Sequence, residues 1–381
     1  MSYKSNPSKR TKPPRTRYKI YPVDANLLII VIILSIFGTV AVFSAGAPEG
    51  ADYYQNPLYY PIKHLIFGVI GFIFMAIAAL IDYKKWKKWA IPISVVIILL
   101  IVATLIPGLG KTTYGSSRWL TFLPVQPSEF GKFACVILAA SALSQVKSLF
   151  DEKMLVNFGL IVFMMGVIFI QPNLSIFLLL AGTCVAMALA AGMSYRMLLL
   201  FGACSLPVLL MKIKGTTYQM NRIQGWLDPF SDPQGIGYNL IQSWYAISSG
   251  GLLGVGLGNS KQKLYWLPFG HTDFIFAVIA EELGFLGSVC LIILFVLFIK
   301  RGFKISARCE DKFGKLLGFG ITFIIGAQAF INMCVATGVF PVTGVTLPLI
   351  SYGGSSFMIT TFMIGILLNI SRKRTERVEH E

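Results

Sequence analysis

Long apolar stretches separated by short polar segments recur along the chain, at roughly 26–45, 60–81, 89–106, 128–146, 154–170, 173–191, 195–212, 273–299, 314–337 and 347–370. A bilayer's hydrocarbon core takes about 20 residues of helix to cross. The pattern therefore predicts an all-α polytopic membrane protein with about ten transmembrane helices. Residues 1–23 are basic, Pro-rich and without apolar periodicity, and are expected to be a disordered cytoplasmic tail. Residues 24–371 are expected to form the membrane domain and 372–381 a second cytoplasmic tail. One segment breaks the rhythm. Residues 213–272, between the seventh and eighth helices, are rich in Gly, Pro, Trp and Tyr, and a loop of that length is usually functional. The first apolar stretch follows basic residues without a small-residue cleavage site, so it reads as a retained helix.

Charge sets the orientation. Most of the 33 Lys and Arg fall in the N-terminal tail, at 84–88, at 300–315 and in the C-terminal tail. The positive-inside rule then puts both termini in the cytoplasm and the 213–272 loop outside. The same distribution accounts for the net charge of +16 without nucleic acid. The chain is 55% hydrophobic and 13% charged, against about 25% charged for a soluble domain. Six cysteines are scattered without a C-x-x-C pair and three histidines lie far apart, so neither a disulfide framework nor a metal site is expected.

The candidate chemistry is a short set of polar residues at helix mouths. Asp273 follows His271-Thr272 where the long loop meets an apolar stretch. It reads either as an anion at a helix N-terminus, with Thr272 as the cap, or as a base whose pKa apolar surroundings raise. Glu129, in Gln126-Pro127-Ser128-Glu129, reads as an ordinary helix start or as a functional acid, and Lys132 lies within pairing reach one turn on. Arg118 beside Trp119 suits a phosphate at the headgroup level or an interfacial anchor. Glu281 and Glu282 would sit about 12 Å further along a straight helix from Asp273 and should face the bundle interior with partners. In Ser351-Tyr352-Gly353-Gly354-Ser355-Ser356, the apolar piece that follows is too short to span alone. Irregular backbone is then expected at membrane depth, where it either packs helices or lines a cavity. The long loop adds Arg222 and Lys263, and its glycines do not form a P-loop.

Four stretches resemble the SEDS (shape, elongation, division, sporulation) family of cell-wall polymerases over nearly the whole membrane domain. They are Gly115-Ser116-Ser117-Arg118-Trp119 with Gln126-Pro127-Ser128-Glu129, the block from Arg222 to Gly287, Gly344-Val345-Thr346-Leu347-Pro348-Leu349-Ile350, and the Ser351–Ser356 run. Gly256-Leu257-Gly258-Asn259-Ser260 and His271-Thr272-Asp273-Phe274 are similar to the division type, FtsW, more than to the elongation type, RodA. The resemblance implies a multi-pass protein of the bacterial cytoplasmic membrane, acting at the division septum. It implies lipid II, a disaccharide-pentapeptide on undecaprenyl pyrophosphate, as substrate, and glycan-strand extension with inversion on the outer face. Asp273 matches the family's essential aspartate, as general base on the acceptor hydroxyl. Arg118, Lys132, Arg222 and Lys263 are candidates to hold the pyrophosphate, and Glu129, Thr272, Ser351 and Ser355 to line the substrate site. No cofactor is certain, and a divalent cation, Mg or Mn, has a place in the chemistry. The implied partners are a class B penicillin-binding protein, other divisome proteins and membrane lipid. The competing readings are a lipid II flippase, suggested by Glu281, Glu282 and the broken last span, and a scaffold that only activates its partner. Two departures stand out. Asn173 follows Pro172 where the family commonly has an aspartate, and Phe269-Gly270 replaces the acid and small residue frequent before the histidine.

Overall fold

The computed structural model describes residues 18–20, 22–113, 116–121, 125–145, 152–171, 173–196, 202, 207, 210–212, 214–264 and 266–375. Helices α1 (Ala25–Tyr54), α2 (Tyr59–Leu80), α3 (Tyr83–Ala103), α4 (Pro127–Ser144), α5 (Glu152–Ile170) and α6 (Leu174–Ala190) come first. They are followed by α7 (Thr217–Leu227), α8 (Tyr238–Gly250), α9 (Ile275–Arg308), α10 (Lys312–Ala336) and α11 (Gly354–Arg372). Six of these, α1, α2, α3, α9, α10 and α11, are long and apolar enough to cross a membrane. The chain is a mostly helical, multi-pass membrane protein. The expected seventh span, 195–212, lies mostly outside the described residues.

Local sequence sets where the helices start. Asp24, Asp82 and Asp311 cap α1, α3 and α10, accepting from the amides of Leu27, Lys84 and Gly314. Pro127 opens α4, where its missing N–H costs nothing. α4 is buried along nearly its whole length and forms the centre of the bundle, against α3, α5 and α10. α11 lies along α2. Asn369 near its end accepts from Tyr83 N at 2.8 Å and donates to Ala79 O at 2.8 Å. Ser371 Oγ accepts from Asp24 N at 3.0 Å, and Asp24 is also gripped by Arg301 at 2.8–3.0 Å.

Four expectations change. Part of the N-terminal tail is ordered: β1 (Tyr18–Ile20) pairs antiparallel with β4 (Lys373–Thr375), because the first and last helices end side by side. The 213–272 segment is not a plain loop, since it carries α7 and α8, whose aromatic residues dock on the end of α10. Ser243 Oγ, Trp244 Nε1 and Trp226 Nε1 donate to the carbonyls of Ala336, Thr337 and Gly338 at 2.6, 3.1 and 2.8 Å. These satisfy carbonyls that a helix end otherwise leaves open. The last span begins at Gly354 rather than 347, because the apolar run before it is irregular, with Leu349 at φ 64°.

The fourth change is in α9, which is not straight. Gly284 breaks it at φ 65°, ψ −165°. The backbone groups freed by the break are taken up by the segment after α8. Val255 N and Gly256 N donate to the carbonyls of Glu281 and Glu282 at 3.0 Å each, and Phe285 N donates to Gly251 O at 2.9 Å. A Cβ on Gly284 would stand 2.3 Å from Gly254 N, so the two backbones approach too closely for any side chain. The break lies two residues beyond Glu282, so the stretch from Ile275 that carries both acids is helical up to it.

Candidate functional site

Asp273 sits on a turn just before α9. The helix N-cap is Phe274, with no side-chain capping bond, and Thr272 Oγ1 donates to Phe269 O at 3.2 Å. Neither side chain bonds the first amides of the helix, so the expected Thr272 cap is absent. The turn is locked from below. Asn332 of α10 donates to Asp273 O at 2.8 Å and to Val345 O at 2.7 Å. Ser351 Oγ donates to Thr272 O at 2.6 Å while accepting from Leu347 N at 2.7 Å. Tyr352 N donates to His271 O at 3.0 Å. Phe269 is held at φ 60°, a strained value for a bulky residue that persists only where surroundings impose it.

The Asp273 carboxylate itself is half-buried and forms no hydrogen bond or ion pair among the described residues. Gly344 faces it, and a Cβ there would lie 3.7 Å from Oδ2. Burial pushes the carboxyl up to about 6, while Arg222, His271 and Arg118 pull it down through space. It is a carboxylate of raised pKa that Arg222, His271 and Arg118 reach through space.

The cations come from two elements, a hairpin and a short helix. A hairpin of β2 (Gly110–Thr113) and β3 (Ser116–Leu120) carries Arg118. α7 carries Arg222, whose guanidinium lies 4.4 Å from the centre of the Tyr218 ring and donates to the Tyr218 hydroxyl. Arg118 also bonds Tyr218, and burial lowers its pKa from arginine's ordinary range. One phenol thus joins two guanidiniums within electrostatic reach of Asp273. Planar donors in that arrangement suit a phosphate. Tyr218 was not among the residues singled out from sequence; its one-turn spacing from Arg222 was the available signal.

Glu129 and Lys132 pair at 2.6 Å, as their spacing predicts. Lys132 is fully buried and also donates to Gln328 Oε1 at 2.7 Å, and Gln328 Nε2 donates to Thr346 O at 2.8 Å. Gln328 and Asn332 are one turn apart on α10, so the pair and the Asp273 turn hang from one helix face about 6 Å apart along its axis. Ser355 Oγ accepts from Gln126 N at 2.9 Å at the start of α4. Asn173 Nδ2 donates to Ser128 Oγ at 3.3 Å.

Lys263 stands apart and corrects an expectation. Its Nζ lies 2.8 Å from Glu282 Oε1 and 2.8 Å from Ser44 Oγ, buried, so its charge is committed to Glu282 rather than offered to a pyrophosphate. Glu281 is likewise occupied, accepting from Ser260 Oγ and from the amides of Lys261 and Gln262. The two acids that suggested a transport cavity instead tie the 260–263 turn to α9. Among the described residues, no three His, Cys, Asp or Glu side chains come together to hold a metal ion.

Comparison with known proteins agrees with this layout. Residues 24–376 match the FtsW/RodA/SpoVE cell cycle protein family. The probable peptidoglycan glycosyltransferase FtsW of Trichlorobacter lovleyi is 38% identical over 366 residues, covering 94% of this chain and 95% of its own. Stage V sporulation protein E of Bacillus subtilis is 37% identical, covering 92% and 97%. A solved structure from a peptidoglycan synthase complex that coordinates polymerization and crosslinking superposes with a TM-score of 0.75 at 28% identity, covering 92% of this chain and 98% of that one. This chain belongs to the FtsW/RodA/SpoVE family of cell cycle proteins and stands among its FtsW-type members.

Proposed function

We propose that this chain is a peptidoglycan glycosyltransferase that extends glycan strands from lipid II on the outer face of the cytoplasmic membrane, at the division septum. The observation that carries the reading is the unbonded Asp273 carboxylate, raised by burial and set near Arg118 and Arg222. Asp273 takes the proton from the 4-hydroxyl of the acceptor's GlcNAc. The freed oxygen forms a bond to the anomeric carbon of the donor's MurNAc, and the bond from that carbon to the diphosphate oxygen breaks. Undecaprenyl diphosphate leaves with the electron pair, and inversion follows from attack opposite the leaving group. Charge grows on the diphosphate as it departs, and preorganised cations stabilise that charge most. Arg118 and Arg222, joined by Tyr218, fill this role.

The remaining candidates support the site from behind. Thr272 and Ser351 fix the turn, Ser355 fixes the start of α4, and Glu129 with Lys132 braces α4 against α10. The topology we propose has ten spans, with 195–212 as the seventh, both termini cytoplasmic and α7, α8 and Asp273 outside. The β1–β4 pairing supports an even number of spans. The partner is a class B penicillin-binding protein, within the wider set of division proteins.

The test is polymerisation of labelled lipid II by the purified chain with its transpeptidase partner. Glycan product from wild type and none from Asp273→Ala is the expected result. Product from Asp273→Ala at the wild-type rate would remove the assigned role.

A further inference from the structure

Beside the Asp273 turn lies a second group of side chains that the scheme above leaves unused. Glu49 and Tyr54 are near the end of α1, Tyr59 and Tyr60 begin α2, Tyr352 precedes α11, and His271 lies two residues before Asp273. Their rings are continuous. Tyr60 is 4.4 Å from His271, 5.0 Å from Tyr352, 5.3 Å from Tyr59 and 5.9 Å from Tyr54, centre to centre. Glu49 sits among them, with Oε1 3.5 Å from the Tyr60 hydroxyl and Oε2 2.9 Å from His271 Nδ1. The group is open to solvent at its outer end: Tyr54 is 48% exposed and the Glu49 side chain 36%.

An interfacial aromatic belt accounts for tyrosines at this level. It does not account for a carboxylate bonded in their midst, nor for a row of rings that runs into the turn bearing Asp273. Flat ring faces beside an acceptor-only carboxylate suit a pyranose, whose C–H face lies on a ring while its hydroxyls donate to the acid. The cationic group of Arg118, Tyr218 and Arg222 is carried by other elements, β3 and α7, and suits a diphosphate. The two reactants differ in the same way at their reacting ends. The donor presents a carbon joined directly to diphosphate, and the acceptor presents an uncharged sugar.

We propose that Glu49, Tyr54 and Tyr60, backed by His271 and Tyr352, form the acceptor-sugar subsite, so that acceptor and donor approach Asp273 over two chemically distinct surfaces. This assignment rests on the polymerase reading.

The experiment uses the full chain with its transpeptidase partner and a lipid-free GlcNAc–MurNAc tetrasaccharide as competitor of labelled lipid II. Polymerisation by wild type without competitor is scored first, and its absence would overturn the polymerase reading itself. Given polymerisation, the tetrasaccharide inhibits wild type and receives saturation transfer from tyrosine ring protons. Its inhibition weakens about fivefold in Tyr54→Leu and in Glu49→Gln, the loss of one ring contact or one charged acceptor. Inhibition by undecaprenyl diphosphate stays unchanged in both and weakens in Arg222→Gln. Tyr54 is half exposed, so its variant keeps the fold, which a melting curve verifies. Wild-type protein that shows no transfer and no inhibition, or tetrasaccharide inhibition equal in wild type and both variants, overturns the subsite while leaving the polymerase reading intact.

Discussion

Replacing Asp273 with Asn removes one proton acceptor and almost no volume, so its consequences can be worked through from the turn's electrostatics. Burial puts the carboxyl at about 6. About one molecule in ten then carries the ionised base at pH 5 and about nine in ten at pH 7. Wild-type polymerisation should rise about tenfold across that interval, with its midpoint near 6. A general base contributes about 10²–10⁴-fold, so Asp273→Asn should lose that much turnover at pH 7 and lose the pH 6 limb with it. Stability should move the other way. The folded-state value is raised above the ordinary 3.8, so the stability tied to this proton is fully present below 3.8 and is lost as pH rises through 6. At pH 7 the ionised carboxylate costs the fold about 3 kcal/mol by the shift alone, and about 1–2 kcal/mol once its half-open setting is screened. The Asn variant should therefore be almost inactive and melt later than wild type. Initial rates on labelled lipid II from pH 5 to 8, with melting curves at pH 7, measure both. A wild-type rate flat between pH 5 and 7, or an Asn variant within about fivefold of wild type, refutes the base. An Asn variant that melts earlier refutes the burial account.

Further consequences follow from neighbouring contacts. Arg222→Gln removes a cation that holds Asp273 down, so the acid limb of the pH–rate profile should move above 6; an unmoved limb would place Arg222 out of reach of the base. Lys132→Met leaves Glu129 buried without its partner and should cost about 3–5 kcal/mol of stability, read as a lower melting temperature, with Glu129→Gln/Lys132→Met recovering most of it. Lys263→Met with Glu282→Gln should keep the wild-type KM for lipid II, because the pair serves the 260–263 turn; a raised KM would return Lys263 to the substrate. Gly284→Ala combines a positive φ with a 2.3 Å backbone clash and should give no monodisperse protein on size exclusion, whereas Gly68→Ala, which meets nothing within 4 Å, should behave as wild type.

Hydropathy made the six long apolar helices legible, because a membrane helix is recognised by length and apolarity alone. Local spacing made the start of α4 legible, through Pro127, and the Glu129–Lys132 pair, through its i,i+3 offset. Hydropathy fails where backbone geometry decides. The Thr346–Ile350 stretch is as apolar as a helix, yet Leu349 at φ 64° ends any helix there, and an average over side chains carries no backbone angle. Glu281 and Glu282 looked like stranded charges because their partners, Ser260 and Lys263, lie about twenty residues earlier across a loop. Asn332, Gln328 and Tyr218 escaped notice for the same reason. Each is an ordinary polar residue whose role depends on what another part of the chain brings beside it.

The position of α11 has a consequence for how the protein is made. It leaves the ribosome after every other helix described, and it brings with it Ser351 and Tyr352, which hold the carbonyls of Thr272 and His271. Until α11 and the residues just before it are added, the turn bearing Asp273 keeps its bond from Asn332 but lacks those from Ser351 and Tyr352, the start of α4 lacks Ser355, and Tyr83 and Ala79 lack Asn369. In a nascent chain halted short of residue 350 those bonds are missing, and the turn bearing Asp273 is therefore among the last parts of the fold to be fixed in place.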